Sequence, residues 1–216
     1  MLLIEFIERE IGNRRRRLHW CPTGPFSHLP LHAACSVESP RRWCGDYIVS
    51  SYTPTLTALL EARKRSSSML TSDVRTLLVV EPTAPGLPTL YDVNKEAETV
   101  TRILTSNDVA RIHTIGANNE GSSIFSVLEE LPTASVLHLA CHGEQDTADP
   151  LASGFCMRDG RLTVAMLMRL SLKRAFFAFL SACETARGDR AQPDQAIHLA
   201  AAMLFVGFPS VIATMW

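Results

Sequence analysis

The chain has 216 residues, 46% apolar and 20% charged, enough to bury the core of one α/β domain of ordinary size. That apolar content excludes disorder along the whole length, and a net charge of -1, from 21 basic and 22 acidic residues, argues against a nucleic-acid partner. Six cysteines stand at 21, 35, 44, 141, 156 and 183 without a CxxC pair, so they read as reduced intracellular thiols rather than a disulfide framework.

The opening Met1 to Glu8 carries acids inside its apolar stretch and does not read as a signal peptide. Arg14 to Arg17 read as a solvated linker ahead of the first strand rather than a nuclear-import or phosphate patch. Asp46 to Tyr52 alternates and is rich in β-branched and aromatic residues, which predicts a strand. Thr53-Pro54-Thr55 then opens a helix through Leu56, Leu59 and Leu60. Residues 1–70 thus form a β-rich amino-terminal extension with one helix.

From Val74 the pattern becomes strand, helix, strand, helix. Strands are expected at 75–80, 111–115, 136–141, 175–183 and 210–216. Helices are expected at 96–104, 124–131, 164–170 and from Pro193 to Phe205, with Gly207 ending the last. A hairpin is expected around Asp159-Gly160. The run from Leu199 to Trp216 is apolar, but Gly207 and Pro209 split it, so it reads as a helix and a strand and not as a membrane span. The alternation implies a layered α/β fold with a mostly parallel sheet flanked by helices.

In such a sheet, sites form beyond the carboxyl ends of the strands. The 136–141 strand runs into His142-Gly143, and the 175–183 strand ends at Cys183. Neighbouring strands lie about 4.8 Å apart, so an imidazole and a thiol at their ends can meet and the imidazole can supply a thiolate. The N–H groups of Gly143 and Cys183 could then form an oxyanion hole. By residue type alone, a core cysteine and a loop-capping histidine is the commoner reading. The pairing of the two strand ends is what shifts the weight.

Three sequence blocks carry a family resemblance. VLHLACHG (136–143) followed by FFAFLSACETARGD (176–189) and by PDQAIHLAAAMLFVGFPSVIATMW (193–216) resembles the CHAT domain, a caspase-like family. Upstream, 20–35 and 50–63 are similar to the amino-terminal blocks of fungal CHAT domains. The resemblance implies a caspase-like α/β core over 71–216, with His142 as general base and Cys183 as nucleophile of a cysteine endopeptidase. It implies no cofactor and no metal, and a protein substrate or signalling partner.

Ser181 stands where relatives often carry an acid or Gln two residues before the nucleophile, so the cleavage preference is not legible. Asp189 and Asp194 follow the cysteine and are candidates to receive a basic substrate side chain, although a turn and a helix N-cap account for them equally well. The family pattern continues past Trp216 with another strand and helix, so the chain reads as carboxyl-terminally truncated, with an exposed sheet edge through which a homodimer could form. A catalytically inactive interaction module of the same fold is the competing class.

Other chemistries find less support. His138 shares the face of His142 but lies deeper and reads as a satisfied core histidine; Cys141 points to the opposite face and reads as apolar filler. Alternation scatters His138, Cys141, His142 and Cys156, which disfavours zinc. The sequence has neither a GxxxxGK[ST] loop nor a GxSxG elbow, which removes P-loop NTPases and the common α/β-hydrolases. The expected location is the cytoplasm.

Overall fold

A computed structural model describes residues 16–37, 39–66, 74–106, 111–117, 120–146, 148–182 and 199–213. At its amino-terminal end, β1 (Arg16–Trp20) pairs in parallel with β2 (Ile48–Tyr52) as a separate two-stranded sheet. The arginine run therefore ends inside a strand and is not all linker. Arg17 Nη1 donates to Ser51 Oγ at 3.0 Å, which gives this arginine a cross-strand partner.

The strand expected from Asp46 begins two residues later. Cys44–Tyr47 is a single helical turn, α1, because the Asp46 carboxylate accepts from the Trp43 N–H at 2.9 Å and closes it. Helix α2 (Leu56–Ser66) follows, its start capped by Thr55 Oγ1 accepting from the Ala58 N–H at 3.0 Å. The expected boundary at residues 70 and 71 lies outside the described residues.

The remainder alternates strand and helix apart from one antiparallel insert; residues 183, 193–198 and 214–216 of the expected strands and last helix lie outside the described residues. In chain order it comprises β3 (Arg75–Val80), α3 (Val93–Ser106), β4 (Arg111–Ile115), α4 (Ile124–Glu130) and β5 (Val136–Ala140). It continues with β6 (His142–Glu144), β7 (Gly154–Met157), β8 (Gly160–Thr163), α5 (Val164–Leu167), β9 (Phe177–Ser181), α6 (Leu199–Val206) and β10 (Ser210–Ala213). Five strands form one parallel sheet in the order β10-β9-β5-β3-β4. β6, β7 and β8 make a small antiparallel sheet, and its β7–β8 turn is the hairpin at Asp159-Gly160.

Successive strand residues point to opposite faces, and both faces are covered. Leu77, Val79, Leu137, Leu139, Ala178 and Leu180 point into one large apolar cluster with Val127 of α4, Leu167 of α5 and Met203 of α6. Leu78, Val80 and Ala140 point the other way, against Val93 and Ala97 of α3. Burial on both faces is why these strands lack alternation in the sequence. Gly207, at φ +139°, ends α6 in a conformation that side chains with a Cβ rarely adopt, and returns the chain to β10. No helix among the described residues is long and apolar enough to cross a membrane.

Candidate active site

β5 and β9 are adjacent and in register, from Val136 opposite Phe177 to Ala140 opposite Ser181. The two strands therefore leave the sheet side by side at their carboxyl ends. One residue beyond β5, Cys141 is buried in the large apolar cluster. Burial pushes its thiol far up, so it is a poor nucleophile.

His142 comes next and opens β6, where it sits opposite Cys156 of β7. Its ring is half-buried, and Nε2 lies 2.7 Å from the carbonyl oxygen of Pro88. A carbonyl only accepts, so Nε2 carries the proton and donates it, which leaves the Nδ1 lone pair of the neutral ring as the base. Pro88 belongs to the loop after β3, which Glu81 holds at its start. The buried Glu81 carboxylate accepts from the Thr83 N–H at 3.0 Å and from the Ser122 N–H at 2.6 Å. The imidazole is thus oriented by backbone that is itself anchored.

A polar network lies beneath the same strand ends on the α3 side. Glu96 of α3 accepts from His138 Nε2 through Oε1 at 2.8 Å and from Ser181 Oγ through Oε2 at 2.9 Å. His138 is 6% exposed and stacks on Phe179, its partner in register, with ring centroids 5.0 Å apart. Burial lowers its pKa, and Glu96 opposes the shift without cancelling it. His138 is therefore the satisfied core histidine expected from the sequence.

The match to known families bears on this arrangement directly. A model of the CHAT domain matches residues 1–216. The chain belongs to the CHAT domain family. No curated protein matches it.

Membership brings the caspase-like character of CHAT domains to the layered α/β architecture, in which β5 leads through Cys141 to the His-Gly motif of this CHAT domain and β9 leads to its Ala-Cys motif. Ala182 is buried in the large cluster, and Cys183 is the next residue in the chain. Cys183 itself, with Asp189 and Asp194, lies outside the described residues. His142 and Gly143 both lie in β6, at the carboxyl end of β5.

Two site features of this CHAT domain were not read from the sequence. One is the Pro88 carbonyl, which no side-chain pattern announces. The other is the Glu96–Ser181 contact, for which a signal existed: an acid beside Val93, Ala97 and Val100 on α3, and a histidine inside the apolar β5. A buried histidine needs a partner, and α3 is the helix that faces it.

Of the positions considered for zinc, Cys156 sits opposite His142 and near Cys141, but no group of three or more His, Cys, Asp or Glu side chains that could hold a metal ion occurs among the described residues. His138 is committed to Glu96 and Cys141 to the apolar cluster, while Cys156 faces Glu144 and Arg161. Burial and the Glu144 carboxylate push the Cys156 thiol up to about 11 in spite of Arg161, which is ion-paired with Glu144.

Proposed function

We propose that this CHAT domain is a cysteine endopeptidase acting on a protein partner through a Cys183–His142 dyad. The observation that carries the reading is the parallel β5–β9 register, with His142 at one strand end tied through Nε2 to Pro88 and Cys183 two residues beyond the other. In this reading His142 Nδ1 takes the Cys183 thiol proton, and the thiolate attacks the scissile carbonyl carbon. The N–H groups of Gly143 and Cys183 hold the oxyanion, since a glycine backbone allows close approach. His142 then returns the proton to the leaving amine as the C–N bond breaks, and water releases the acyl group from sulfur.

Asp189 and Asp194 are the acids proposed to receive a basic side chain of the substrate. Labelling with an electrophilic peptide probe tests the dyad. Wild type is expected to be labelled at Cys183, Cys183→Ala to lose the label, and His142→Ala to lose it near neutral pH. Equal labelling of wild type and Cys183→Ala would rule the dyad out.

A further inference from the structure

β4 is the last strand on its side of the parallel sheet. Its Arg111 N–H donates to the Val74 carbonyl at 3.0 Å, on the β3 side. Backbone groups alternate sides along a strand, so Arg111, His113 and Ile115 bond toward β3. Ile112 and Thr114 turn their N–H and C=O outward, and no other strand lies along that edge among the described residues.

A groove flanks this edge on each face of the sheet. On the α3 face lies one of about 570 Å³, lined by Thr114 with Ala97, Thr101 and Thr105 of α3, where Glu98 and Arg102 balance in charge. On the α4 face lies one of about 370 Å³, lined by His113 and Ile115 with Glu120, Glu129 and Glu130. Arg158 also borders the second groove, but its guanidinium donates to the Glu120 carbonyl. Three carboxylates against one guanidinium leave that groove net negative. Open edges invite pairing, and side chains of an added strand alternate between the two faces as those of β4 do.

We infer that the outer edge of β4 is a docking edge for an extended segment of a protein partner, bound as an added strand with basic residues at every second position. The backbone of the segment pairs with Ile112 and Thr114. Its basic side chains enter the acidic groove beside α4, and the intervening uncharged ones lie along α3. This edge is at the opposite side of the sheet from β9 and β10 and does not depend on the dyad.

The test uses the full chain and a fluorescein-labelled peptide of alternating valine and lysine, seven residues long, with an alternating valine–glutamate peptide as control. The lysine peptide is expected to bind and the glutamate peptide not to. Thr114→Pro removes one outward donor at an edge position where proline is tolerated, so it should weaken binding at least tenfold with an unchanged circular dichroism spectrum. The double variant Glu129→Lys, Glu130→Lys should reverse the peptide preference. By hydrogen exchange, the Ile112 and Thr114 amides should exchange quickly in the free chain and slow when the lysine peptide is added.

Absent binding, or binding that ignores peptide charge and both variants, would overturn the assignment. So would Ile112 and Thr114 amides already protected in the free chain. Protection that rises with protein concentration would assign the edge to a second copy and overturn the partner-peptide reading. None of these arms uses Cys183, so they succeed or fail apart from the peptidase reading.

Discussion

The two faces of the parallel sheet are built on different terms. On the face covered by α4, α5 and α6, the strands contribute Leu77, Val79, Leu137, Leu139 and Leu180 to a continuous apolar cluster. On the α3 face the apolar cluster is smaller, and His138, Glu96 and Ser181 share the space with it. The first face derives its stability from area removed from water, which is non-directional and tolerant of exchange between similar apolar side chains. The second depends on directional bonds, which fix where the carboxyl ends of β5 and β9 sit relative to α3. Stability and positioning are thus divided between the faces, with the positioning network at the carboxyl ends of β5 and β9.

Deleting core volume should show the largest effect. Leu139→Ala removes a side chain that is 1% exposed from the apolar face, and should destabilise the fold by about 2–5 kcal/mol in urea unfolding. A loss below about 1 kcal/mol would mean that this face is not closely packed.

Breaking the polar network should cost less. Glu96→Ala leaves the buried His138 N–H without an acceptor and frees the Ser181 hydroxyl, for a loss of about 1–3 kcal/mol. Glu96→Gln keeps an acceptor oxygen and should lose less. If both variants match wild type, the α3 face holds the strand ends by packing alone.

The smallest effect is a pH dependence on the same face. Burial lowers the pKa of folded His138, so the unfolded chain takes up that proton first as pH falls. The stability that His138 contributes is fully present above its ordinary pKa of about 6.5 and is lost as pH drops below that value toward the folded one. Replacing it by Phe should flatten the stability profile of the chain below about pH 6.5 relative to wild type. Parallel profiles for the two proteins would show that His138 titrates alike in both states.

The apolar face was legible in the sequence because burial on both sides writes itself as unbroken runs, such as Leu77 to Val80 and Phe177 to Leu180. Strand and helix positions followed from those runs and from punctuation such as Pro132 and Gly207. β1 was not legible, since Arg16 and Arg17 deny it an apolar pattern and its pairing with β2 spans about thirty residues of irregular chain. Nor was β6, three residues long, whose place is set by β7 and not by its own composition. His142 was legible as a strand-end histidine. Its orientation was not, because a backbone carbonyl such as that of Pro88 leaves no trace in residue type.

Whether His142 activates Cys183 is tested most directly by the rate of Cys183 alkylation by iodoacetamide across pH, with peptide mass spectrometry reporting each thiol. Cys141 and Cys156 should lag, since burial raises both thiols. In wild type, Cys183 should be modified first and remain reactive near neutral pH, whereas in His142→Ala its rate should follow an ordinary thiol of pKa about 8.5. Identical profiles in the two proteins, or a Cys183 that stays unmodified while Cys156 reacts, would contradict the dyad.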